Sequence, residues 1–302
     1  MRVLVAGATS VPGIPLLREL NARGHEVIGV TRSPGKTAKI SAEGAKPVVA
    51  DVLDAGQIDS VMAEFNPEAV VSLLTTLPKL GPKRMKDFEP ARELWSRGAG
   101  NLMAAAQRAG VRRVVAESVI FAYGYGSTGP RLIDETDPYP GPPPRGGEQM
   151  LAALRGMERD VLTSGERSGT EGIVLRYGVF YGPGVTHDDL FRRLAKWWAV
   201  PAMTGTGVLS WVHIDDVARA TADGLDKGRG GQIYNIVDDR PQSFGDYVRE
   251  LNAKLNRPRP WPISHRLVGL VAPYPATAFG TAWLPLSNAK AKAELGWTPI
   301  PR

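Results

Sequence analysis

The 302-residue chain has no cysteine, which excludes disulfides, zinc–thiolate sites, iron–sulfur clusters and cysteine nucleophiles. It has four histidines, His25, His187, His213 and His265, too far apart in sequence to read as a metal site. Charge of one sign is only mildly in excess: 37 basic against 31 acidic residues, a net +6. The basic residues are scattered, as in Arg112-Arg113 and Arg192-Arg193, with no basic run interleaved with aromatics, so a nucleic-acid partner is not expected. The opening Met1-Arg2-Val3-Leu4-Val5 enters a strand-like run at once, and no signal peptide is expected. Leu267 to Leu286 carries no charge, but Pro273, Pro275 and Pro285 interrupt it, together with Gly269 and Gly280. A bilayer span there would leave backbone groups without partners, so no membrane partner is expected and the predicted location is cytoplasmic.

What is present is a 43 % hydrophobic, 23 % charged composition, ordinary for a folded globular chain. Apolar, β-branched runs recur at 3–6, 25–30, 47–50, 69–74, 111–116 and 172–176, with helix-like stretches between them, the first over 12–23. That alternation predicts an α/β chain whose parallel sheet is covered by helices on both faces. The Gly- and Pro-rich stretch 123–147 is expected to be a long loop. From about residue 178 the alternation fails, and a smaller lobe is expected. The predicted division is a Rossmann-type doubly wound domain over 1–177 plus about 211–240, and a substrate lobe over about 178–210 plus 241–302.

The strongest local signal is Gly7-Ala8-Thr9-Ser10-Val11-Pro12-Gly13, between the first strand and the first helix. Small residues there let the backbone approach a diphosphate, and the helix start supplies free N–H groups and a positive dipole end. Gly7 is expected to make the tight turn and Gly13 to permit close helix–strand packing. Ser10 stands where a third glycine is usual, and Thr9 and Val11 complete the turn. The second strand ends Val30-Thr31-Arg32-Ser33, where an acidic residue would hold a ribose 2′-hydroxyl. Arg32, with Lys36 near it, suits a 2′-phosphate, so NADP is favoured over NAD. Asp51 is placed to meet an adenine edge, with Val52 beneath the ring; either Asp51 or Asp54 could instead cap the next helix.

These residues resemble the extended short-chain dehydrogenase/reductases of the NAD-dependent epimerase/dehydratase type. The resemblance also rests on Gly98-Ala99-Gly100-Asn101, Leu175-Arg176-Tyr177-Gly178, Trp211-Val212-His213-Ile214-Asp215-Asp216, Tyr234-Asn235-Ile236 and Asn288 to Trp297. It implies a helix at the C-terminus and helix caps at Asp215 and Asp216, with His213 a structural hydrogen-bonding residue. It also implies a Tyr-x-x-x-Lys pair that handles the proton and a serine that polarises the substrate oxygen. None of the eight tyrosines has lysine four residues on. Setting Glu158 on the family's glutamate puts Met150 at the tyrosine position and Leu154 at the lysine position. The chain thus resembles the atypical branch that lacks the pair.

Ser118 is the serine counterpart, in a register uncertain by one residue. Tyr123 and Tyr177 are the candidate substitute acids, each also readable as a pocket-wall aromatic. Thr75 and Thr76 are placed to meet the cofactor ribose, and Glu148 is an acid–base candidate or a solvated first-turn residue. The expected function is an NADP-dependent oxidoreductase or epimerase with a non-standard acid, acting on a small carbonyl or alcohol. A redox-neutral lyase, cyclase or isomerase, or a non-catalytic NADP-binding protein, are the alternatives. The partner implied is a small-molecule substrate, for which Trp197, Trp198, Trp211 and 267–286 could form a pocket. The resemblance also allows a homodimer through the helices before and after the fifth strand.

Overall fold

Buried strands that alternate with amphipathic helices must cover both faces of their sheet, and this requirement shapes the first half of the chain. In the computed structural model, residues 1–301 are described except 79, 127, 128, 130, 138–140 and 196–199; for 167, 186, 187 and 195 only the backbone is described. The order is β1 (Arg2–Ala6), α1 (Gly13–Ala22), β2 (Glu26–Thr31), α2 (Thr37–Ala42), β3 (Lys46–Val49), α3 (Ala55–Phe65) and β4 (Ala69–Ser72). Then α4 (Glu89–Glu93) runs through a wide π turn (Leu94–Gly98) into α5 (Ala99–Arg108) and β5 (Arg113–Val119). Next come α6 (Glu148–Leu162), the short α7 (Ser164–Ser168) and β6 (Glu171–Tyr177).

The second half begins with β7 (Val179–Tyr181), α8 (Thr186–Ala195), β8 (Ala202–Thr204), β9 (Val208–Leu209) and β10 (Trp211–His213). It continues with α9 (Ile214–Lys227), β11 (Gln232–Ile236), α10 (Phe244–Lys254), β12 (Pro262–Ser264), α11 (His265–Val271), α12 (Pro273–Ala278) and β13 (Trp283–Leu284).

Seven strands form one parallel sheet in the order β11-β6-β5-β4-β1-β2-β3. The chain builds outward from β1 in one direction through β2 and β3. It then returns to β4 and builds the other way, so a crevice opens between the carboxyl ends of β1 and β4. Side chains alternate between the faces. Leu4, Val70, Val114 and Val174 pack with Leu102, Met103, Leu151 and Leu154 from α5 and α6. Val3, Val5, Val71 and Val115 pack on the other face with Leu16, Leu17 and Leu20 of α1 and Val217 of α9.

The remaining strands make three short parallel pairs, β7 with β10, β8 with β12 and β9 with β13. The last two tie residues 202–209 to residues 262–284.

Three local expectations change. The segment at Asn288 to Trp297 is not a regular helix: it passes into a π turn at Ala291–Leu295 and ends on left-handed Gly296. Asp215 and Asp216 do not cap α9 with their side chains; the N-cap is His213, whose Nδ1 accepts from the Asp215 N–H at 3.2 Å. Asp216 is buried and holds Arg219 instead, at 2.6 Å. The uncharged 267–286 stretch is split among α11, α12 and β13, and among the described residues no helix is long and apolar enough to cross a membrane.

Candidate functional site

The turn after β1 is shaped by backbone contacts that only glycine allows. Gly7 has φ +83°, and a Cβ there would lie 2.3 Å from the Leu73 carbonyl oxygen. At Gly13 a Cβ would lie 2.5 Å from the Ala8 carbonyl oxygen. The start of α1 is therefore pressed against the turn. Ser10 closes the turn: its N–H donates to the Gly7 carbonyl at 2.9 Å, and its carbonyl and Oγ both accept from the Gly13 N–H at 3.2 Å. At the start of α1 the Gly13 N–H is taken by Ser10, and Pro12 and Pro15 have none.

A cavity enclosing about 170 Å³ runs along this edge. Gly7, Thr9 and Ser10 line its middle, Thr31, Arg32, Ser33 and Lys36 one end, and Ala50, Asp51, Val52 and Leu94 a side wall. Leu73, Leu74, Thr75 and Thr76, past the end of β4, line the rest. The cavity thus gathers Gly7, Thr9, Ser10, Arg32, Asp51, Val52 and Thr75 of the residues singled out from sequence. Val11 and Gly13 belong to the turn but do not line the cavity. Thr9 and Thr31 face each other at 3.3 Å between hydroxyls, and the Thr31 Oγ1 also accepts from the Ser33 N–H.

Asp54 is the helix cap, accepting from the Gln57 N–H at 3.1 Å. Asp51 is left to the cavity wall, with one oxygen accepting from the Leu53 N–H at 2.9 Å. The Val52 carbonyl accepts from Asn101 Nδ2 at 3.0 Å, so α5 holds the floor of this end in place. Asn101 and Leu94 were not foreseen in these roles. Leu94 enters through the π turn, which no local sequence signal marks; Asn101 had a polar side chain on an otherwise apolar helix face as its only hint.

The catalytic candidates sit elsewhere. Ser118 is 1 % exposed, and its Oγ donates to Glu158 Oε1 at 2.5 Å. Glu158 is held in turn by Arg176, whose Nε and Nη2 donate at 2.8 and 2.7 Å. The Arg176 guanidinium lies 4.4 Å from the Tyr123 ring centroid, and the Tyr123 hydroxyl is shared between the Asp134 carbonyl and Asn235 Oδ1, each at 3.1 Å. Ser118 and Tyr123 are thus members of one buried polar network between β5, β6 and α6. Side chains alternate along β5, so the register that turns Ser118 toward α6 is the one that removes it from an open site.

Tyr177 lies on the opposite face, packed with Val212, Ile214 and Val217. The Thr221 hydroxyl donates to the Val217 carbonyl at 2.6 Å, so it accepts from the Tyr177 hydroxyl at 2.8 Å. Burial pushes the Tyr123 phenol up to about 12 and the Tyr177 phenol higher still. The hydroxyls of Ser118, Tyr123 and Tyr177, the catalytic candidates read from sequence, are thus buried and hydrogen-bonded within the fold. None lines the cavity, and each hydroxyl has a partner.

Met150 and Leu154, which the sequence reading set at the family's pair, are buried one turn apart on α6 in the apolar body that includes Val52 and Leu94. Glu148 is the exposed first residue of α6. Trp211 is core, stacked on Tyr247 at 4.3 Å between centroids. Trp197 and Trp198 lie outside the described residues.

A parallel sheet with a glycine-cornered turn and a cavity across its carboxyl edge defines a Rossmann-type nucleotide-binding α/β protein. The sequence model of the NAD dependent epimerase/dehydratase family matches residues 3–237, and the chain belongs to that family. A 3-diazoavenalumate denitrifying reductase from a Streptomyces species is 36 % identical over 99 % of this chain and 96 % of its own length. A 2′-dehydrokanamycin reductase from Streptomyces kanamyceticus is 26 % identical over 85 % of this chain and 68 % of its own. The UDP-glucose 4-epimerase of Thermus thermophilus, solved in complex with NAD, has the same fold: TM-score 0.82 at 22 % identity, over 100 % of this chain and 95 % of that one.

Proposed function

We propose that the chain is an NADP-dependent reductase of a small organic molecule. The observation that carries this reading is the cation pair at the end of the cavity: Arg32 and Lys36 line it where β2 ends, with no ion pair to either among the described residues. A 2′-phosphate placed there would meet a guanidinium fork and an ammonium. The rest of the cavity fits the remainder of such a dinucleotide. The glycines at 7 and 13 let the turn close on Leu73 and Ala8, which sets Gly7, Thr9 and Ser10 along the cavity where a diphosphate would lie. Asp51 and Val52 are placed to meet the adenine, and Thr75 the ribose.

A reduced nicotinamide bound in this way supplies hydride, and the chain's residues bind it, orient it and keep water away. The 36 % identity to a reductase over nearly the whole of both chains favours reduction over a redox-neutral or non-catalytic use of the site. That relative's printed name couples reduction to loss of nitrogen from a diazo compound, and we take a reaction of that kind as the model for this chain. In the same reading, residues 1–177 and about 211–240 hold the cofactor, and about 178–210 and 241–302 hold the substrate. No nucleic acid or membrane takes part.

Calorimetry with NADPH and NADH tests the reading. NADPH is expected to bind at least tenfold more tightly, about 1.4 kcal/mol. Arg32→Glu is expected to remove that preference and leave NADH within about twofold. Equal losses for both nucleotides overturn the 2′-phosphate role. No heat with any pyridine nucleotide overturns the whole reading.

A further inference from the structure

We propose that this site reduces electrophiles that take up hydride without needing a proton, with aryl diazonium compounds as the substrate class. The inference rests on the reductase reading above. A carbonyl that accepts hydride becomes an alkoxide, which needs a nearby proton or strong donors to be stable in a dry site. The family pattern meets that need with three side chains, and here all three positions are closed. Met150 and Leu154 carry no transferable proton and are 5 % and 1 % exposed. The Ser118 hydroxyl donates its hydrogen bond to Glu158, a carboxylate that also accepts two bonds from Arg176.

Each described phenol has a hydrogen-bond partner; Tyr181 donates to Asp238, Tyr234 to Glu294 and Tyr247 to Asp188. Tyr123 and Tyr177 are buried and committed, and the Tyr125 hydroxyl donates to that of Tyr274 at 3.2 Å. Burial holds both members of this last pair protonated well beyond the neutral range. Losing the family's apparatus would be costly for a ketone reductase and costs nothing if no oxyanion forms.

An aryl diazonium ion is such a case. Hydride from the reduced nicotinamide adds one C–H bond to the ring, and the C–N bond breaks with its electron pair leaving on N2. The diazonium is reduced by two electrons and the nicotinamide oxidised by two. The charges +1 and −1 cancel, and no proton is gained or lost by the substrate.

Two measurements decide it. The first reads no turnover: ultraviolet titration of the NADP-loaded protein is expected to show no tyrosinate below about pH 10, the ordinary phenol value. A phenol ionising between about pH 6 and 8 would reveal an activated acid and overturn the proposal. The second uses 4-methoxybenzenediazonium and the matched ketone 4-methoxyacetophenone, with rates corrected for the protein-free reaction. With cofactor deuterated at the transferred position, the anisole formed is expected to carry the label, and in D2O with ordinary cofactor it is expected to carry none. The diazonium is expected to react at least 100-fold faster than the ketone, at a rate flat from about pH 6 to 9. Comparable ketone reduction, solvent deuterium in the product, or no diazonium turnover despite NADPH binding each overturns the proposal while leaving the reductase reading intact. Absence of NADPH binding overturns both.

Discussion

Glu117 is a buried carboxyl in the middle of the sheet. It points from β5 to the face opposite Ser118, beside Leu175 in register, and is 7 % exposed. Its Oε2 has no hydrogen-bond partner among the described residues. Burial pushes its carboxyl up to about 8 from 4.5, so the folded protein holds this proton across neutral pH. The unfolded chain gives it up near pH 4.5. The group therefore costs nothing below that value, and stability falls as pH rises from about 4.5 to about 8, by up to about 1.4 kcal/mol per pH unit. Glu117→Gln keeps the shape and removes the titration. Denaturant unfolding is expected to show the variant gaining on the parent across this window and level above it. A constant difference at all pH values would mean that Glu117 ionises normally in the folded state.

At the scale of elements, the start of α1 and the first turn of α5 make a controlled contrast. Gly13 has no room for a methyl group, because the atoms in the way are backbone carbonyls of its own turn. Gly13→Ala is expected to cost about 2 kcal/mol and to weaken NADPH at least tenfold, since the helix must slide away from the turn that it braces. Gly100 lies within α5 with no neighbouring atom within 4 Å of a built Cβ. Gly100→Ala is expected to gain about 0.5–1 kcal/mol through the unfolded chain and leave NADPH binding unchanged. Thermal unfolding and calorimetry of the two variants check both. Loss of binding in both would mean that the phosphate turn has no special sensitivity to its geometry.

At the scale of the whole molecule, order is unevenly supported. The seven-stranded sheet is packed on both faces, whereas β8 with β12 has three residues a side and β9 with β13 two. Residues 267, 270 and 271 of the adjoining α11 expose their apolar side chains at 60, 80 and 71 %. Amide hydrogen exchange is expected to reach the strands of 202–209 and 262–284 by local opening, with β1, β4 and β5 exchanging last. Nicotinamide-nucleotide binding should slow exchange at 7–13 and 73–76 more than at 262–284. Uniform protection across the chain would show one cooperative unit in place of a firm sheet and a loosely held edge.

Much of the fold and half of the site were legible because their determinants are local. Gly7 and Gly13 lie six residues apart on one turn, and Arg32 follows directly on its strand, so spacing alone brings them together. Ser118 was named from the same kind of pattern, which does not say what its hydroxyl meets. Its direction depends on Glu158, 40 residues away, and on Arg176, a further 18 residues along. The setting of Tyr177 was hidden likewise, because Thr221 on a later helix takes its hydroxyl.

The sequence by itself determined the strand–helix alternation, the glycine turn after β1, the cation that follows β2 and the absence of Tyr-x-x-x-Lys. Each follows from residue type and spacing within a few turns of chain. Only the tertiary structure decided which face of β5 carries the hydroxyl, that Met150 and Leu154 close an apolar wall, and that the candidate phenols are spent on partners. Those outcomes depend on groups distant in sequence competing for the same buried hydrogen bonds, and burial makes leaving any of them unpaired too costly.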